Sequence, residues 1–137
     1  MLYRFISTIF LLLLIQTVTF SQSVEELLGE AAKAYSQSDN LNAAEILKKA
    51  LQLKKELPAN LYLKLGQTYE ALGQYENAIR IYASVPNTPS PSVYLRLISV
   101  YSEKLFDVKS AHEVWKRLQK DYNNSPANSL GLKKILE

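Results

Sequence analysis

Beyond residue 22 the apolar residues return every three or four positions, and short polar breaks interrupt them at regular intervals. Ser23-Val24-Glu25-Glu26 has capping-box spacing and predicts a first helix, with Leu27, Leu28, Ala31, Ala32, Ala34 and Tyr35 as its apolar face. After the polar break from Ser36 to Asn40, Asp39 or Asn40 caps a second helix. Its apolar face is Leu41, Ala43, Ala44, Leu47, Ala50 and Leu51, and Pro58 marks its boundary. A third helix runs from about Ala59 to Leu72, with Gly73 as the residue that turns the chain after it. A fourth covers roughly Tyr75 to Val85 and stops at Pro86. The stretch from Pro86 to Pro91 is a rigid turn, and Ser90-Pro91 reads as N-cap and first residue of the fifth helix. That helix carries Val93, Tyr94, Leu97, Ile98, Val100 and Tyr101 and reaches about Lys104. Asp107 caps the sixth, which buries Ala111, Val114, Trp115 and Leu118 and ends near Tyr122. Ser125-Pro126 starts the last helix, with Ala127, Leu130, Leu132, Ile135 and Leu136. No stretch alternates with a period of two, so the chain is expected to be all-α.

The helices superimpose in pairs. Tyr35, Tyr69 and Tyr101 occupy one place in the first helix of each pair, and Ala43, Ala78 and Ala111 one place in the second. Leu47, Tyr82 and Trp115 follow four residues after the alanines, then Ala50, Val85 and Leu118 three further on. The period is about 34 residues. The first copy is one residue short in its turn and the third one residue long. At Tyr62, Leu65-Gly66, Tyr69, Gly73, Tyr75, Ala78, Tyr82 and Val85 the middle copy resembles the tetratricopeptide repeat family. Ala31-Ala32 and Leu97-Ile98 stand in the flanking copies where that family has Leu-Gly. The resemblance implies an α-α superhelix of three helix-turn-helix repeats, about 24–57, 59–90 and 91–124, plus a capping helix over about 126–136. A lone pair cannot bury its apolar face, whereas three stacked pairs share a continuous core.

The same resemblance implies that the first helices of the pairs line a concave surface. Its candidate binding residues are Lys33, Asn60, Leu63, Lys64, Gln67, Leu95, Arg96 and Ser99, with Glu26, Ser36, Glu70 and Ser102 beside them. Lys33, Lys64 and Arg96 would form a basic stripe suited to a peptide carboxylate or an acidic segment. Some family members grip chaperone tails with a two-carboxylate clamp. Only Arg96 sits at a matching place here, and Ser92 and Gly29 stand where that clamp needs lysines, so the clamp is not expected.

Composition narrows the function. The chain has 137 residues, 47% hydrophobic and 21% charged, with a net charge of +3. So mild a charge argues against a dedicated nucleic-acid surface. The absence of cysteine excludes disulfides, thiol chemistry and Cys-ligated zinc. Arg4, the apolar run Phe5 to Phe20 and the small residues of Thr19-Phe20-Ser21 have the order of a secretory signal. The Phe-Ser-Gln junction resembles signal-peptide ends of the Bacteroidetes group. Residues 1–21 are therefore expected to be a signal and 22–137 the mature domain, exported to the periplasm or beyond. An uncleaved N-terminal anchor is the alternative, against which the run is short and broken by Gln16 and Thr17. After cleavage no membrane association is expected.

Little in the sequence points to chemistry. His112 is the only histidine and lies beside Ala111 on a packing helix. Glu25-Glu26 suits the helix start, and no glycine-rich phosphate loop occurs. No catalytic, cofactor or metal site is expected, and the chain is not expected to be an enzyme. The expected function is a non-enzymatic protein-protein interaction module of the bacterial envelope that takes a peptide or helix in its groove. The rival expectation is a structural subunit of a periplasmic or outer-membrane assembly, docking through its convex face or its ends.

Overall fold

The computed structural model describes residues 22–53 and 56–137, so the expected signal segment lies outside the described residues. These residues form α1 Val24–Ser36, α2 Asn40–Leu53, α3 Ala59–Ala71, α4 Tyr75–Ala83, α5 Pro91–Ser99, α6 Val108–Asp121 and α7 Ala127–Leu136, with no strand among them. A π-helical turn, Val100–Lys104, extends α5. The helices pack as hairpins, α1 with α2, α3 with α4 and α5 with α6, and α7 closes on the third hairpin.

Three of the expected side-chain caps are formed, whereas Ser90 makes no side-chain cap and the last helix begins at Ala127 with Pro126, not Ser125, in the N-cap position. The Ser23 hydroxyl accepts from the Glu26 amide at 3.1 Å while the Glu26 carboxylate accepts from the Ser23 amide at 2.9 Å. Of the two candidates at the second helix, Asp39 is the cap, accepting from the Asn42 amide at 3.2 Å. Asp107 does the same for Ser110 at 3.0 Å. Pro91 takes the first helical position after Ser90.

One turn is built three times. Ser38, Gly73 and Phe106 each adopt a left-handed backbone, at φ 59°, 70° and 53°. The next amide in each case reaches back to close the helix end: Asp39 to the Ala34 carbonyl, Gln74 to Tyr69 and Asp107 to Tyr101. That same residue stands just before the following helix, with a side-chain cap from Asp39 and Asp107 and none from Gln74, so the left-handed residue precedes Ala43, Ala78 and Ala111 by a constant interval. Within each hairpin the variation in spacing between the tyrosine and the alanine therefore lies before the turn. In the third copy the extra residue is absorbed as the π turn, marked by the Leu105 amide on the Val100 carbonyl at 3.0 Å. A wider helical turn accommodates one more residue without changing the connection that follows.

Ala43, Ala78 and Ala111 have no exposed surface, and each lets its hairpin close. In the middle hairpin the closest approach is between Gly66 and Tyr82: a β-carbon on Gly66 would lie 2.1 Å from the Tyr82 ring. Tyr82 is itself fully buried. The hydrophobic effect at such a side chain is worth about 1.5–3 kcal/mol. Elsewhere the apolar faces need correction. Ala32, Leu41, Leu130 and Leu136 are exposed, whereas Ile46 and Gly131 are buried. Periodicity identifies a face, but a neighbour covers only the turns that overlap it. Helix α4 ends at Ala83, short of the expected Val85. Trp115, expected to be buried, is half-buried against α7, its ring nitrogen donating to the Asn128 carbonyl at 2.9 Å, and His112 packs beside it with ring centroids 5.2 Å apart.

Candidate interaction face

Successive first helices stand side by side, and a different polar contact ties each neighbour to the next. Between α1 and α3, Tyr35 and Thr68 share a hydrogen bond of 2.6 Å. Thr68 gives its own proton to the Lys64 carbonyl at 2.9 Å, so Tyr35 is the donor. Between α3 and α5, the Arg96 guanidinium meets Glu70 with both arms, at 2.9 and 2.7 Å. The turn after α5 meets α7 through Glu103 and Lys134 at 2.9 Å. The helices α1, α3, α5 and α7 thus make one continuous face.

The expected groove residues fall on this face but differ in what they offer. Lys33, Asn60, Lys64 and Gln67 are exposed. Lys64 holds its ammonium 4.2 Å from the centre of the Tyr35 ring, which orients it without neutralising it. Leu63 and Leu95 are half-buried, leaning on the core while showing an apolar edge. Ser99 is buried, so it presents little to a ligand. Arg96 is engaged: its partner Glu70 keeps only 10% of its side chain exposed, against 41% for Arg96. The basic stripe therefore reduces to Lys33 and Lys64, with a closed ion pair beside them.

Glu70 is the residue that sequence reasoning undervalued. It accepts from the Tyr82 hydroxyl as well as from Arg96, and so joins α4 to both inner helices. Burial, and then the Glu70 carboxylate, push the Tyr82 hydroxyl far above its usual range and keep it protonated as a donor. The Tyr94 hydroxyl makes the same bond to Asp121 across the third hairpin and is pushed up to about 12, by burial first. The partners Glu70 and Arg96 come from different repeats, so no local motif announces the pair. Among the described residues no His, Asp or Glu side chains gather in a group able to hold a metal ion. None of the described helices is long and apolar enough to cross a membrane.

An all-α stack of hairpins with equivalent turns and small residues at each crossing is a helical repeat solenoid. Residues 34–99 match the Tetratricopeptide repeat family. No curated protein sequence matches it. Its fold is similar to that of the type III secretion chaperone SycD of Yersinia enterocolitica, crystallised with a peptide of the translocator YopD. The TM-score is 0.66 at 21% identity, over 82% of this chain and 91% of that one. PcrH from Pseudomonas aeruginosa is comparable, with a TM-score of 0.65 at 19% identity over 83% and 92%. A tetratricopeptide repeat protein from Parabacteroides merdae gives 0.54 at 18% identity over 84% of this chain and 59% of its own.

Proposed function

We propose that the chain is a non-enzymatic interaction module that holds an extended segment of a protein partner on the face of α1, α3 and α5. The observation that carries this reading is the composition of that face. Two free cations, Lys33 and Lys64, stand with the polar side chains Asn60 and Gln67 beside the apolar edges of Leu63 and Leu95. Asn60 and Gln67 have no side-chain hydrogen bond among the described residues, so their donors and acceptors are available to a backbone. Preformed helices lose little order on binding. The peptide-bound SycD structure supports the reading by showing that a fold of this kind can carry a peptide. The segment that fits here has an acidic residue for Lys33 or Lys64 and apolar side chains for Leu63 and Leu95.

The test is affinity capture from an extract of the producing cells, comparing the wild type with a Lys64→Glu/Gln67→Ala/Leu63→Ala variant whose melting is first checked. Proteins retained by the wild type and lost by the variant support the reading. Identical retained sets refute it. We further propose that the module acts outside the cytoplasm, after removal of residues 1–21. Support comes from the order of Arg4, the apolar run and the small residues before Gln22. A protein recovered from the periplasm or medium should begin at Gln22, and recovery from the cytoplasm with Met1 in place would refute export.

A further inference from the structure

Phe106 is held in a conformation that disfavours it and in surroundings that disfavour it. Its backbone is left-handed at φ 53°, in the turn position that Gly73 fills in the middle repeat. A bulky side chain is uncommon there and the backbone is strained. The ring is also 81% exposed. Beside it lie Val108 at 53% and Leu136 at 76% exposure, with the half-buried Ile135, around a depression of ≈ 290 Å³. Leu41 and Leu53, by contrast, are single exposed leucines at opposite ends of α2 and call for no explanation. Two costs at one residue, with no offset among the described residues, mark a surface that something else covers.

We propose that a second copy of this chain covers it, in a two-fold dimer that seats Phe106 of each copy in the depression of the other. The charges around the patch favour this occupant. Glu103 and Lys134 flank it as a pair at 2.9 Å, and Lys104 lies exposed beside them. A rim carrying both signs is self-complementary across a two-fold axis, where each Lys104 can meet the partner's Glu103. A strongly acidic or strongly basic partner would meet like charge there. The area agrees. Four apolar side chains with these exposures leave on the order of 400 Å² of apolar surface per copy, an aromatic contributing the largest share. With its polar rim this approaches the ~800 Å² per partner of a standard interface, at the end where association depends on concentration. The inference does not rest on the groove reading, because the patch lies at the turn edge of the third hairpin and the end of α7.

Sedimentation velocity of the full chain from about 1 to about 300 μM tests it, a span covering weak specific dimers. The wild type should pass from monomer to dimer. Phe106→Gly and Leu136→Asp should each raise the dissociation constant about tenfold or more, as loss of a central apolar anchor does. Both positions are exposed in the monomer, so neither variant should unfold it. Phe106→Gly should also melt at or above the wild type, because glycine suits the left-handed turn. A wild type that remains monomeric throughout overturns the proposal. So does a dimer whose dissociation constant both variants leave within about twofold, since association would then run through another surface or residues 1–21.

Discussion

Gly66→Ala sets two magnitudes against each other. Gly66 lies inside α3 with ordinary helical geometry, so alanine should stabilise that helix by about 1 kcal/mol on propensity alone. Packing opposes this. The new β-carbon would stand 2.1, 2.5 and 2.7 Å from three ring atoms of Tyr82, where carbon atoms in contact prefer about 3.5–4.0 Å. The ring has little freedom to retreat. It is fully buried, and its hydroxyl is bonded to Glu70, which Arg96 clamps from α5. Overpacking of this kind costs about 1–3 kcal/mol. Losing a hydrogen bond to a charged group adds about 1.5–3 kcal/mol. Packing therefore outweighs propensity, with a net loss of about 1.5–5 kcal/mol against a total stability of roughly 5–15 kcal/mol. At this chain length about 4 °C accompanies each kcal/mol, so thermal unfolding followed by circular dichroism should show a fall of about 6–20 °C. Gly29 supplies the control. It is exposed in α1 with nothing within 4 Å of its would-be β-carbon, and Gly29→Ala should raise stability by about 0.5–1 kcal/mol. Tyr82→Leu in the Gly66→Ala background should recover part of the loss, with a coupling of about 1 kcal/mol or more. The reasoning fails if Gly66→Ala melts with Gly29→Ala, or if the two changes at Gly66 and Tyr82 simply add.

Three further outcomes are expected. Ala78→Leu should lower the melting temperature more than Ala43→Leu or Ala111→Leu, since the middle hairpin is packed on both sides; equal losses near the usual 1–3 kcal/mol would show no such privilege. Arg96→Ala should cost about 1–2 kcal/mol, a buried-pair loss reduced because Arg96 is partly exposed, while Lys64→Ala should cost about 0.5–1 kcal/mol in denaturant unfolding; the reverse order would contradict the clamp. Stability should fall in alkali. An unfolded tyrosine ionises near 10, whereas folded Tyr94 holds its proton to about 12 and Tyr82 beyond it. The folded state thus binds more protons above pH 10, and the contribution present below that pH is lost as it rises toward 12. Tyr94→Phe should make the loss between pH about 10 and about 12 shallower, and an unchanged slope would remove Tyr94 from the account.

The fold was legible because its determinants are local. Helix ends are written in Ser23, Asp39, Pro91 and Asp107, and each cap acts within four residues of itself. The repeat was legible because packing demands a small residue at Ala43, Ala78 and Ala111 and a large one beyond each. Two features escaped. The third copy was known to be one residue long, but whether a loop or a helix absorbs an insertion depends on the tertiary fit, and the π turn is the answer here. The face was harder. Its positions followed from the repeat register, yet whether a charge there is free depends on a partner in another repeat. Arg96 reads as an open cation until Glu70 is seen beneath it.

That dependence gives the three contacts between inner helices a role beyond stability. The signature residues fix each hairpin, and the tyrosine and the small alanine recur in every copy. The polar contacts between copies are all different. Tyr35 with Thr68 is a neutral bond beside the core, Glu70 with Arg96 a two-armed ion pair, and Glu103 with Lys134 an exposed ion pair of the kind worth about 0–1 kcal/mol. The middle one has the most to hold. Helices α4 and α5 touch over little of their length, and the rigid segment from Pro86 to Pro91 separates them. The Glu70 clamp therefore adds to a junction where α4 meets only part of α5 and the π turn after it, and fixes how the third hairpin sits against the second. Because Lys64 and Leu95 lie on either side of that junction, the clamp also sets their spacing. Arg96→Ala should accordingly raise amide exchange in α5 more than in α1, and peptide capture should weaken even though Arg96 offers a ligand no free charge. Uniform exchange across the helices would mean that packing alone holds the junction.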